Sequence, residues 1–136
     1  MIYEKSCGAV IFAEQDGKRL YLVELMKKGH YSICKGHVEG DETEHETACR
    51  EIMEECSLEV EFVDGFRETV EYSPHKGRWK TVVFFLARAK GTDVKAQEEE
   101  VREISWLPFE EAVVTLTYDS DRNTLRKAEA FLQAGR

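Results

Sequence analysis

The fold this chain predicts is an α/β sandwich on a mixed sheet, and three observations predict it. Several short runs concentrate or alternate apolar and β-branched residues with the period of strands. One stretch in the middle of the chain and one at its C-terminal end repeat apolar residues at helical spacing. The 136 residues are enough for one domain with a proper core, residues 1–136, in which helices cover a sheet.

In chain order, residues 6–13 (SCGAVIFA) read as a central strand. Residues 14–18 hold an Asp-Gly turn signal, and residues 20–25 (LYLVEL) complete a hairpin. Residues 27–30 (KKGH) read as a polar loop, and residues 31–35 (YSICK) lead into Gly36. Thr43 with Glu46 three residues on forms a capping box that starts a helix running to Cys56. Its apolar stripe is Ala48, Cys49, Ile52, Met53 and Cys56.

Residues 59–63 and 66–72 alternate as strands, and residues 73–77 (SPHKG) form a loop. Residues 79–89 (WKTVVFFLARA) are the strongest strand, apolar enough to be central. Residues 91–97 are loop-like, 98–100 are an acidic cluster and 103–107 (EISWL) are a strand. Pro108 opens a short helix over 109–114. Asp119 or Ser120 caps a last helix to about Gln133, with Leu125, Ala128, Phe131 and Leu132 as its buried side. There is no internal repeat, linker or low-complexity segment.

Composition narrows the classes. Hydrophobic content of 42% and charged content of 34% suit a soluble globular protein. No apolar run approaches the ~20 residues of a membrane-spanning helix, and the N-terminal MIYEKSCGAVIF lacks the marks of a signal peptide. A cytoplasmic protein with reduced thiols is therefore expected. The net charge of −8 argues against a broad nucleic-acid or membrane surface. It leaves room for a phosphate-rich substrate, because a bound cation reverses the local charge. Cys7, Cys34, Cys49 and Cys56 show no CxxC spacing, and Cys49 and Cys56 read as core. His30, Cys34 and His37 lack a fourth ligand and a standard spacing, so no zinc site is read from them.

The functional signal lies in residues 36–58, GHVEGDETEHETACREIMEECSL. Glu51, Glu54 and Glu55 stand at i, i+3 and i+4 and share an arc of roughly 100°, away from the apolar stripe. Three carboxylates on one face repel each other unless a cation sits among them. They also crowd the helix C-terminal end, where the dipole disfavours negative charge. A local rule broken in this way marks a functional position. Oxygen ligands in this number suit a hard divalent ion such as Mg²⁺, which commonly brings a phosphate substrate.

Gly36, Glu42, Arg50, Glu51, Ile52, Glu54, Glu55 and Leu58 follow a spacing that resembles the Nudix box, G-x5-E-x7-R-E-U-x-E-E-x-G-U with U bulky and apolar. The one departure is Ser57, where the family has its last Gly. The resemblance covers roughly residues 5–133 and implies a Nudix-type α/β/α sandwich with a mixed central sheet. It also implies a metal-dependent hydrolase of phosphoanhydride bonds in nucleoside-diphosphate-linked compounds, with Mg²⁺ or Mn²⁺ as cofactor. The metal ligands it implies are the Gly36 carbonyl, Glu51, Glu54, Glu55 and Glu100. The carboxylate handling the water is Glu51 in some members and a distant-loop Glu in others. Glu100 is the candidate for that second role, with Glu98 and Glu99 as alternatives. Lys35 would face phosphate oxygens, while Glu42 and Arg50 would brace the loop and helix.

SCGAVIF, KGHVE, KTVVFFLA, the acidic stretch before Trp106-Leu107 and Tyr118 followed by Leu125 are similar to asymmetric diadenosine tetraphosphate hydrolases. Those cleave the dinucleotide to ATP and AMP. Tyr31 and Cys34 stand where that group has Trp and Pro. By this resemblance Lys80 binds phosphate, and Tyr118 and Tyr72 stack on adenine. The expected partner is a small nucleotide. No membrane is expected, and no nucleic acid apart from an RNA 5′ end; the oligomeric state is left open. Competing readings are hydrolysis of nucleoside triphosphates, ADP-ribose or RNA 5′ ends, and a catalytically silent nucleotide-sensing domain. A diphosphoinositol polyphosphate would call for more basic residues.

Overall fold

Strand β1 (Ile2–Gln15) is the axis of a mixed sheet in this computed structural model, which describes residues 1–97 and 99–135. It runs parallel to β7 (Arg78–Ala89), in register from Ile2 opposite Arg78 to Phe12 opposite Arg88. Beyond that, β1 turns at Asp16-Gly17 into the antiparallel β2 (Lys18–Met26). Short β3 (Tyr31–Ser32) pairs with β2, and β4 (Lys35–His37) pairs with Ser6, Cys7 and Gly8 of β1. On the other side, β5 (Val60–Phe62) and β6 (Glu68–Tyr72) pair with opposite ends of β7. β8 (Val101–Pro108) pairs with β2.

The strand period sorts the core into two layers. Val82, Phe84 and Leu86 of β7 face one side, with Val10 and Phe12 of β1. Helices α2 (Phe109–Thr115) and α3 (Asp119–Gln133) cover that side through Ala112, Leu125, Ala128 and Leu132. Val83, Phe85 and Ala87 face the other side with Cys7, Ala9 and Ile11, under Ala48, Ile52 and Cys56 of α1 (Glu44–Cys56). Both faces of β1 and β7 are thus buried, which explains their continuous apolar runs. The result is the expected α/β/α sandwich. Among the described residues, no helix is long and apolar enough to cross a membrane.

Several details differ from the sequence reading. Residues 2–5 extend β1, because β7 supplies a partner for them. KGH at 35–37 is a strand, held on β1 where Gly8 leaves room: a Cβ there would lie 1.9 Å from the Cys34 carbonyl oxygen. Pro108 is the N-cap of α2 and not its first helical residue, and Tyr118, not Asp119 or Ser120, caps α3 without a side-chain bond. Cys49 and Met53 are exposed. The buried positions of α1 are Thr47, Ala48, Glu51, Ile52, Glu55 and Cys56, a stripe rotated by about one residue from the predicted one. Glu51 and Glu55 therefore lie on the edge of the apolar stripe, not away from it.

Candidate active site

Two local devices fix α1 against the loop before it. The capping box closes as predicted. The Glu46 amide donates to Thr43 Oγ1 at 3.1 Å, and the Thr43 amide donates to the Glu46 carboxylate at 2.8 Å. Glu42 then gathers the loop. It accepts from the Glu39 amide at 2.9 Å, from the Thr47 hydroxyl at 2.9 Å and from Arg50 Nε at 2.6 Å. The Arg50 guanidinium, foremost among these, pulls the Glu42 carboxyl down to about 2. Arg50 also donates to the His37 carbonyl at 2.9 Å, to Glu51 at 3.0 Å and to Glu54 at 3.2 Å. One guanidinium thus ties the strand holding Gly36 to the helix holding the acids.

Gly36 is where strand and helix touch. A Cβ there would sit 2.0–2.3 Å from the Glu51 carboxyl atoms, so only glycine admits that carboxyl against the backbone. Glu51, Glu54, Glu55 and Gly36 line one cavity of about 360 Å³. Glu100 reaches the same cavity from the loop before β8. That loop is pinned to the end of α1: the amides of Lys95 and Gln97 donate to the carbonyls of Cys56 and Glu55, both at 3.1 Å. These donors satisfy helix-end carbonyls that have no basic side chain nearby in the last turn. Glu99 instead lines a separate depression with Glu54 and Ser57. Glu98 lies outside the described residues.

The electrostatics show what the acids lack. Burial, then the Glu24 and Glu51 carboxyls beside it, push Glu55 far above the ordinary carboxylate range. Burial also raises Glu51, against the pull of Glu55 and Arg50. A cation among them would oppose that rise, since a nearby positive charge favours the ionised form. Three carboxyls and a backbone carbonyl position are hard oxygen donors converging on one cavity, so they fit a hard divalent ion.

Two lysines border this acidic cavity. Lys80 of β7 and Lys35 of β4 both line it. Burial, then the charge of Lys35, lowers the Lys80 ammonium pKa. Lys35 also lines a second cavity of about 520 Å³ with Tyr72 from the end of β6 and Tyr118 from the start of α3. Tyr118 is half exposed and its ring leans on His30, with centroids 5.7 Å apart. The structure therefore brings Gly36, Glu51, Glu54, Glu55, Glu100, Lys35 and Lys80 to one cavity, and Tyr72 and Tyr118 to its neighbour. Sequence reasoning missed Glu39, His37 and Gln97 on the first cavity and Asp121 on the second. It also missed Glu24, which is buried behind Glu55; a lone acid in an apolar strand was its signal.

Comparison with known proteins places this geometry. The NUDIX domain family matches residues 3–128. The chain is 30% identical over 140 residues to the asymmetrical bis(5′-nucleosyl)-tetraphosphatase of Rattus norvegicus, covering 94% of this chain and 95% of that one. It is 31% identical over 133 residues to the protein of the same description from Caenorhabditis elegans, covering 94% and 96%. A solved binary complex of Caenorhabditis elegans Ap4A hydrolase superposes with a TM-score of 0.88 at 30% identity, covering 96% of this chain and 98% of that one. The chain belongs to the Nudix family. Within it, this protein is a Nudix pyrophosphohydrolase, an enzyme of a family that generally depends on divalent metal ions.

Proposed function

We propose that this protein, acting as one domain in the cytoplasm, hydrolyses diadenosine tetraphosphate asymmetrically to ATP and AMP. The observation that carries this is the junction at Lys35: a cavity with two tyrosines opens beside an acidic cavity flanked by two lysines. A polyphosphate chain needs the second, and an adenine face suits the first. The relatives described above support the same substrate.

In this reading Glu51, Glu54, Glu55, Glu100 and the Gly36 carbonyl hold Mg²⁺ or Mn²⁺. When bound, the metal neutralises the phosphate oxygens and the charge that develops during substitution. Lys35 and Lys80 align the phosphate chain. Tyr72 and Tyr118 grip an adenine, which fixes which phosphorus lies at the acids. Glu51 is engaged by Arg50 at 3.0 Å, so Glu100, entering from the opposite loop, is the better carboxylate to orient the water and accept its proton. The water oxygen attacks phosphorus, the phosphoanhydride bond breaks, and the leaving phosphate oxygen stays between the lysines.

Chromatography of the products formed from diadenosine tetraphosphate with Mg²⁺ tests the proposal. ATP and AMP in equal amounts are expected. No turnover of the dinucleotide, with a nucleoside triphosphate, ADP-ribose or an RNA 5′ end hydrolysed instead, would discard the substrate and keep the family chemistry.

A further inference from the structure

Behind the acidic cavity lies a second cluster of a different chemical kind. Glu24 of β2, Cys34 before β4 and Cys56 at the end of α1 are each at most 1% exposed. One ligand atom from each lies within 4.8 Å of the others. Cys56 Sγ is 3.2 Å from Glu24 Oε2, and Cys34 Sγ is 3.5 Å from Glu55 Oε1. Glu55 is itself 3% exposed and forms the wall between this cluster and the cavity.

We propose that Glu24, Cys34 and Cys56 form a buried three-ligand site for a thiophilic divalent cation such as Zn²⁺, its open position facing the Glu55 carboxyl. The geometry argues for it. Zinc bonds of ~2.0 Å to oxygen or nitrogen and ~2.3 Å to sulfur give tetrahedral edges of about 3.3–3.8 Å between ligand atoms. The Cys56-to-Glu24 separation of 3.2 Å lies close to this range, and all three ligand atoms lie within 4.8 Å of one another. The chemistry argues for it too. A thiol is a weak donor, and carboxyls buried in an apolar layer need a stronger partner. Two thiolates in the set select zinc-like ions over magnesium. Binding expels the two thiol protons and the Glu24 carboxyl proton to solvent, so that three anionic ligands face the divalent ion. The ligands come from separate segments of the chain, so no local spacing announces the site.

A bound ion here would lie behind Glu55 and bias its carboxylate, which also lines the acidic cavity. The consequence for catalysis rests on the function proposed above, but the site does not, and its test reads binding alone.

The experiment is titration of the reduced, metal-free protein with Co²⁺ under anaerobic conditions, followed by absorption. A near-ultraviolet thiolate-to-cobalt charge-transfer band is expected, saturating at one ion per chain. Zn²⁺ bleaches it and excess Mg²⁺ does not. Cys34→Ala and Cys56→Ala lose the band, while Cys49→Ser, altering the exposed cysteine, keeps it. Glu24→Gln, nearly isosteric, keeps a band but weakens Co²⁺ binding about tenfold or more. Circular dichroism confirms that each variant is folded. The proposal is overturned if the parent shows no band at one equivalent. It is equally overturned if the band survives in folded Cys34→Ala and Cys56→Ala, vanishes in Cys49→Ser, or binds Co²⁺ with unchanged affinity in Glu24→Gln.

Discussion

At the scale of single residues, the acids divide by what surrounds them. Glu54 is exposed and Glu55 is buried, yet both meet the same cavity. Glu54→Gln and Glu55→Gln each remove a hard negative ligand and keep its shape. Activity should fall by orders of magnitude with the fold intact by circular dichroism; a mutant with parental turnover would remove the metal reading. Glu100→Gln should lower kcat far more than Glu99→Gln, because only Glu100 lines the cavity with Glu51 and Glu55. Equal effects would defeat the choice of Glu100. Tyr118→Ala should raise KM for adenine dinucleotides by the equivalent of ~1–3 kcal/mol, the worth of one base stack. An unchanged KM would make Tyr118 a packing residue beside His30.

At the scale of the element, α1 carries the site and its end is strained. Ser57 holds φ at 57°, in the left-handed region, where the family has Gly. The left-handed conformation costs a non-glycine residue ~1–2 kcal/mol. Glycine loses roughly 0.5–1 kcal/mol more chain entropy on folding. The first effect is the larger, so Ser57→Gly should stabilise the fold by about 0.5–1 kcal/mol in denaturant titration; a loss of stability would refute this account. Ser57 thus closes the helix where a glycine was expected, and its amide still donates to the Met53 carbonyl at 3.0 Å. The start of α1 was legible because a capping box is local. The rotation of its stripe was not. Cys49 and Ile52 look equivalent in one dimension, and only docking on β1 decides that Glu51 is buried and Cys49 is exposed.

At the scale of the whole molecule, buried acids and ion-paired acids make stability depend on pH in opposite directions. Burial, with Cys56 next, pushes Glu24 up to about 8 from an ordinary 4.5, and Glu55 is raised in the same direction. The folded state then binds more protons than the unfolded one above pH 4.5. That contribution is complete below 4.5 and is lost as pH rises through about 8. Glu42 and Glu44, held at about 2 by Arg50 and Arg67, contribute in the opposite sense and lose their effect as pH falls from 4.5 through about 2. The Tm of chelator-treated protein should therefore fall between about pH 5 and 8. Excess Mg²⁺ should shrink that fall, since it binds the deprotonated acids. A Tm that does not decline in chelator would contradict the burial of these two carboxyls.

The sequence by itself determined the class and much of the layout. The two periodicities specify strands and helices, and the spacing from Gly36 to Leu58 specifies a helix with three acids on one arc. These are properties of neighbours in the chain. Only tertiary structure decided that Gly36 abuts the Glu51 carboxyl, that Glu100 and not Glu99 joins the acids, and that Lys35 stands between two cavities. It also decided that Glu24, Cys34 and Cys56 meet behind Glu55. Each of these depends on how β1 aligns β2, β4 and β7 beneath α1. Register and helix rotation are set by packing between segments distant in sequence, where local spacing carries no information.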